Sequence, residues 1–255
     1  MKKTFIKTKN VKQLVTLLDE VQKLPPNIPK LALVYGEHGL GKTHSVIWWA
    51  TRNDAIYVRA NNEMTQNGLL KAIAEELGER SFYMMQDNYN LILKHLKSEP
   101  KIIIVDEVDY LIGNKHVIEI LRDIQDNTGT PIVLVGMGFV DKKISRFKHF
   151  EDRIYKKVKF EHFNEEDIKE ILESMTELNF TDDAITYLAT RTNQFRQLVK
   201  LINHIEKLSK TNEIKDLDEY TLKGILNERI LTRLSIANAA PVNNLTECRI
   251  GGGNS

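Results

Sequence analysis

Gly36-Glu37-His38-Gly39-Leu40-Gly41-Lys42-Thr43 sets three glycines, a lysine and a hydroxyl in one short run. Glycines let successive backbone N–H groups turn toward a single anion, and a helix opening behind them adds the positive end of its dipole. Lys42 places an ammonium on the β and γ phosphates of ATP, and Thr43 offers a hydroxyl to Mg²⁺. His38 sits at a variable position of this loop and gets no acid–base role. A second run, Ile102-Ile103-Ile104-Val105-Asp106-Glu107, places two carboxylates directly after four aliphatic residues. Asp106 suits Mg²⁺ held through water, and Glu107 suits a general base for the attacking water. No acceptor pocket is suggested, so the pair reads as hydrolase chemistry rather than kinase chemistry.

Such residues need a scaffold that presents them at strand ends. Leu31–Tyr35 reads as a buried strand before the glycine loop, and Thr43–Thr51 as the helix after it. Ala55–Ala60 is a second strand, Gly68–Leu77 a helix closed by Gly78, and Tyr89–Lys97 a further helix. Lys101–Val105 is a fully buried strand, Val117–Asp126 a helix, and Pro131–Val135 a strand closed by Gly136. Strands alternating with helices imply parallel βαβ units, so the expected class is α/β with a parallel sheet flanked by helices. Asp106 then emerges at a strand's carboxyl end, where open α/β sheets bind ligands.

Beyond residue 160 the pattern changes. Glu165–Glu177, Asp182–Arg191, Phe195–Leu208 and Glu219–Arg229 are helical in period, and strands are expected to cease after 164. Ahead of the first strand, Val11–Leu24 is a helix stopped by Pro25-Pro26-Asn27-Ile28-Pro29. The expected organisation is a basic segment and helix over 1–30, a nucleotide-binding core over 31–160, a smaller all-helical lid over 161–230, and a flexible tail over 231–255.

The 255 residues include 42% hydrophobic and 28% charged, the balance of a chain with a real core. The longest apolar run, Ile102–Val105, is far too short for a membrane span, and no apolar stretch follows the basic N-terminus as a secretory signal requires. Cys248 is the single cysteine, which fits a reducing, cytoplasmic setting, and the seven histidines lack paired metal spacing. A net charge of +1 conceals asymmetry: residues 1–30 and 141–159 each carry a local +5, and 161–183 a local −8. Trp48 and Trp49 cannot share one helix face, so one is core and the other an edge residue. Met84-Met85 is expected to pack inside.

Phosphate loop, Asp-Glu strand, the strand ending at Gly136 and the helical C-terminal part together resemble an AAA+ ATPase. Within that class, Tyr57-Val58-Arg59, Asp106-Glu107-Val108-Asp109, Val133-Leu134-Val135-Gly136 and Asp152-Arg153-Ile154 resemble the MuB and TnsC transposition ATPases, with ExeA-like and origin-recognition ATPases more distant. The resemblance implies a fold of P-loop AAA+ core plus helical lid. It implies that Arg153 is an arginine finger reaching a neighbour's ATP, with Arg146 in reserve, and that Arg196 is the lid's sensor-2 arginine. The loop Asn61–Asn67 takes the place of the DNA-facing loop, which points to Asn62, Thr65 and Lys71 at the start of the following helix. That loop itself holds no Lys or Arg, so its contacts are expected to be hydrogen bonds. Met137 stands where such ATPases place a polar sensor, so hydrolysis is expected to be slow or partner-stimulated.

The resemblance implies a largely sequence-nonspecific DNA-binding ATPase that assembles into rings or filaments on double-stranded DNA and regulates transposition through a transposase or another recombination protein, with no membrane partner. Two other readings stand beside it. One is a replication initiator or helicase loader, which normally adds a winged-helix domain for which the chain after 230 is too short. The other is a nucleotide-dependent protein-interaction switch that touches no nucleic acid.

Overall fold

The computed structural model describes residues 5–226. The first four residues, the end of the expected lid helix and the tail over 231–255 lie outside the described residues. Helix α1 (Lys9–Lys23) precedes strand β1 (Leu31–Gly36). Then come α2 (Lys42–Arg52), β2 (Ile56–Arg59), α3 (Gln66–Glu76), α4 (Met85–Ser98) and β3 (Ile103–Asp106). A 3-10 turn (Val108–Tyr110) leads to α5 (Lys115–Thr128), β4 (Ile132–Gly136), α6 (Val140–Ile144), α7 (Lys148–Glu151) and β5 (Ile154–Phe160).

All five strands are parallel, in the order β2-β3-β4-β1-β5. Because alternate strand residues face opposite sides, each aliphatic run feeds two cores. Leu31, Leu33, Ile103, Val105, Ile132 and Leu134 meet Ile73, Ile92 and Leu121 of α3–α5 on one side. Ala32, Val34, Ile104, Val133 and Val135 meet Leu14, Leu17 and Trp49 of α1 and α2 on the other. This double coverage explains why β1, β3 and β4 read as continuous apolar runs. Edge strand β5 instead exposes Tyr155, Lys156 and Lys159, charges that discourage further strand pairing.

The C-terminal part has its own core. It comprises α8 (Glu165–Met175), β6 (Asn179–Phe180), α9 (Asp182–Arg191), α10 (Phe195–Thr211), β7 (Asp216–Leu217) and helical residues from 219 to 226. Ile168, Ile171, Leu188, Leu198, Ile202 and Leu217 fill it. The expectation that strands cease after 164 is corrected here, since β6 and β7 pair in parallel. Two residues are too few to show a strand period, so the sequence carried no signal for them.

Residues 5–10 lie between the sheet part and the C-terminal part. Phe5 stacks on Trp48 with ring centroids 4.0 Å apart and planes at 1°, while Ile6 enters the C-terminal core. The Asn10 amide donates to the Glu161 carbonyl at 2.8 Å and accepts from its N–H at 3.0 Å. Trp49 is the buried tryptophan and Trp48 the edge one, as the helix geometry requires.

Met84 and Met85 correct a second expectation, for they are exposed together with Phe82 and Tyr83. Buried Asn88 holds this loop through the N–H of Phe82 (2.7 Å) and its carbonyl (3.0 Å). The bonds fix the backbone and leave the side chains outside. Helix α4 accordingly starts at Met85, four residues earlier than its apolar periodicity suggests.

Candidate functional site

The glycine loop joins β1 to α2 at the carboxyl edge of the sheet, with Gly39 at φ +79° and Gly41 at φ +92°, left-handed conformations in which only glycine is unstrained. Lys42 opens α2 and curls back into the loop. Its Nζ donates to the carbonyls of Gly36 at 2.6 Å and Glu37 at 2.7 Å. Burial pushes this ammonium below the usual lysine range, against the pull of Asp106, Asp109 and Glu37. Thr43 follows on the first turn and faces the same cleft.

Asp106 ends β3 and is only 2% exposed. Its carboxylate accepts from the Glu107 N–H at 2.8 Å and the Tyr57 hydroxyl at 3.0 Å. Burial and the neighbouring Asp106 charge push the Tyr57 phenol well above its usual range, so it stays a donor. Glu107 takes φ +55°, an uncommon conformation for a residue with a side chain. Its Oε1 accepts from Arg59 Nη2 at 2.5 Å. Hydrogen bonding and charge from Glu107 raise the Arg59 guanidinium further above its already high range.

Asp109 links the acidic turn to the end of β4, because its Oδ2 accepts from the Met137 N–H at 2.6 Å. A Cβ on Gly136 would stand 2.8 Å from that oxygen and 2.9 Å from Val140 Cγ2. Glycine is therefore the residue that lets Asp109 reach β4. The Met137 side chain lines the cleft and brings no hydrogen-bond donor to it.

The C-terminal part closes the other wall. The Arg196 N–H, in the first turn of α10, donates to the Gly39 carbonyl at 3.1 Å. This bond ties the phosphate loop to the helical part. Arg196 is exposed and lines the cleft with Lys200, one helical turn on. The enclosed space is about 600 Å³, bounded by Lys42, Thr43, Asp106, Glu107, Met137 and Arg196 among others. A larger groove of about 800 Å³ runs between α1, β5 and α8. Lys9 and Lys12 within it already pair with Glu161 (3.6 Å) and Glu170 (3.0 Å) of the same chain.

The remaining residues singled out from sequence stand apart from the cleft. Arg153, between α7 and β5, forms an ion pair with Asp126 of α5. Arg146 lies exposed in the turn between α6 and α7, with no side-chain partner among the described residues. Thr65 caps α3 by accepting from the Gly68 N–H at 3.1 Å, so its hydroxyl already has a structural duty. Asn62 is exposed in the preceding loop. Lys71 does not begin the helix as expected, because the Thr65 cap starts α3 at Gln66.

Sequence reasoning gave Arg59 and Lys200 no role. Arg59 could be found only through strand order, since parallel β2 sets it beside Asp106 in register. Lys200 carried a weak signal in its four-residue spacing from Arg196.

Residues 27–144 match the family model described as an AAA domain. The fold is AAA+. Comparison with curated proteins returned no match. Among solved structures, the chain is similar to the Aeropyrum pernix ORC2 protein in its ADPNP–ADP complexes, at a TM-score of 0.66 and 14% identity, covering 89% of this chain and 70% of that one. It is also similar to the Aeropyrum pernix ORC1 protein in complex with DNA, at a TM-score of 0.56 and 19% identity over 94% of this chain and 70% of that one. Domain III of the Thermotoga maritima replication initiation protein DnaA gives 0.53 and 20% identity, with 88% and 94% covered. The DnaA protein is described as a replication initiation protein, and origin-recognition ATPases are the group that the sequence pattern places more distantly than MuB and TnsC. Within the AAA+ fold, Gly36–Thr43, Asp106 and Arg196 converge on one cleft.

Proposed function

We propose that this chain is an ATP-hydrolysing AAA+ switch that acts on double-stranded DNA, of the replication-initiator or helicase-loader kind. The observation that carries the ATPase reading is the two-walled cleft, in which Lys42 and Thr43 face Asp106 and Glu107 while Arg196 closes on Gly39. The DNA reading is supported by initiator-like structures, one of them described with DNA.

In this reading Lys42 leaves the Gly36 and Glu37 carbonyls for the phosphates, and backbone N–H groups of the loop complete the cradle. Thr43 and Asp106 fit Mg²⁺, which needs few protein ligands when a triphosphate supplies others. Among the described residues no group of three or more His, Cys, Asp or Glu forms a separate metal cage. The cation, when bound, neutralises charge developing on the phosphate oxygens. Hydrogen bonds from the Tyr57 hydroxyl and the Glu107 N–H hold the Asp106 carboxylate in orientation. Glu107 takes the proton from the attacking water once Arg59 releases its carboxylate, because the Arg59 guanidinium otherwise occupies Oε1. Arg196 follows the phosphates as the lid moves, and Arg153 reaches a neighbour's site after parting from Asp126.

The test uses the whole chain. Lys42→Ala is expected to weaken ATP binding at least a hundredfold in a fluorescence titration without altering the circular dichroism spectrum. Glu107→Gln should bind ATP normally, since it preserves shape and charge-independent contacts, yet turn over at under a hundredth of the wild-type rate. Normal turnover in Glu107→Gln would remove the base from the mechanism.

A second reading, transposition, is favoured by the MuB- and TnsC-like run from Asp106 to Asp109. It keeps the same cleft and changes only the client protein. Stimulation of ATP hydrolysis by a transposase rather than a replicative helicase would select it.

A further inference from the structure

We propose that the α6–α7 surface grips the phosphate backbone of duplex DNA through Lys142, Lys143, Arg146 and Lys148, an inference that rests on the DNA reading above. The sequence points to the loop after β2, but that loop supplies amides and a helix-capping threonine and no cation of its own.

The segment after β4 has what backbone binding requires. Val140, Ile144 and Phe150 are buried and anchor the two short helices on the core. With these inward, Lys142, Lys143, Arg146 and Lys148 are all exposed. Two of the segment's acids are already engaged from behind. Lys157 of β5 holds both Asp141 and Glu151 at 2.7 Å, and the Ser145 hydroxyl adds a bond to Glu151. Arg153 is paired with Asp126 and adds no free charge. None of the four outward cations has a side-chain partner among the described residues. Asp152 is the one acid of the segment left exposed and unpaired, giving a free local charge of four cations less one anion.

Four cations without side-chain partners on a seven-residue stretch make a local positive field that attracts a polyanion. Flexible lysine ammoniums suit phosphates as point charges without reading bases. The segment follows β4, whose end Asp109 ties to the turn after Glu107.

The test measures binding to a nonspecific duplex by fluorescence anisotropy, with an ATP analogue, across a salt series. Lys142→Glu/Lys143→Glu/Lys148→Glu leaves Arg146 unchanged. It should lower duplex affinity at least tenfold and make the log–log salt slope shallower by about 2.7 for three lost phosphate contacts. The triple Lys→Arg variant should keep wild-type affinity. Lys→Gln at the same positions serves if charge reversal impairs folding. A variant that binds the duplex as the wild type does, when the wild type binds, overturns the surface. So does a variant that loses ATP-dependent self-association in sedimentation without DNA, because the patch is then a subunit contact. A wild-type chain that binds no duplex at any salt sinks the DNA reading itself.

Discussion

At the scale of single residues, the contact with the clearest consequence is Arg59 to Glu107. It places the expected base in the hands of a cation from the neighbouring strand, next to the phosphate loop. In the proposed mechanism this pair would hold hydrolysis low until Arg59 is drawn away. Arg59→Ala is expected to raise basal ATP turnover several-fold and to reduce any stimulation by DNA or a protein partner. Steady-state phosphate release with and without duplex checks this; a fall in basal turnover would make Arg59 a support of the active geometry. Because Arg59 is exposed, the same substitution should leave the urea midpoint nearly unchanged.

Among the elements, the join between the acidic turn and β4 depends on Gly136. A methyl group there collides with the Asp109 carboxylate and with Val140. Gly136→Ala is expected to destabilise the fold by about 1–3 kcal/mol, the range for overpacking a tight site. It should also slow ATP turnover, since Asp109 and Met137 must separate. Urea melts and turnover measured on the same preparation decide between outcomes: lost stability with full activity would show that the join is structural only. Asn88 offers a comparison away from the cleft. It is fully buried and bonded to Phe82 and Asn67. Asn88→Ala should cost about 1–3 kcal/mol by leaving those groups unsatisfied, with ATP affinity unchanged once folded.

For the whole molecule, the question is what Arg153 meets. Within one chain it pairs with Asp126 and lies off the cleft. As a finger it acts only between copies, so Arg153→Ala should bind ATP normally yet hydrolyse it poorly. Lys42→Ala spoils the opposite side of a shared site. Mixed together, an intact phosphate loop from one variant can meet an intact Arg153 from the other, and some turnover should return. No recovery at any mixing ratio, with both variants folded, would leave Arg153 as a partner of Asp126 alone. The Arg196-to-Gly39 bond ties α10 to the glycine loop, and the Phe5–Trp48 stack seats the N-terminal segment on α2.

By itself the sequence determined the elements that have a period and the motifs that have a spacing. The aliphatic runs of β1, β3 and β4 specify buried strands because both faces must be covered. The phosphate loop specifies its turn because only glycine is at ease at Gly39 and Gly41. Tertiary structure alone decided features that depend on which elements are neighbours. Arg59 reaches Glu107 because β2 lies beside β3, and strand order is invisible in local pattern. The two-residue strands β6 and β7 pair across the helical part, a non-local match with no period to read. Exposed Phe82, Tyr83, Met84 and Met85 run against their apolar character because Asn88 fixes their backbone at the surface. The free cations of α6–α7 emerge only when Lys157 is seen to hold Asp141 and Glu151, for a charge count along the chain cannot tell a paired charge from an unpaired one.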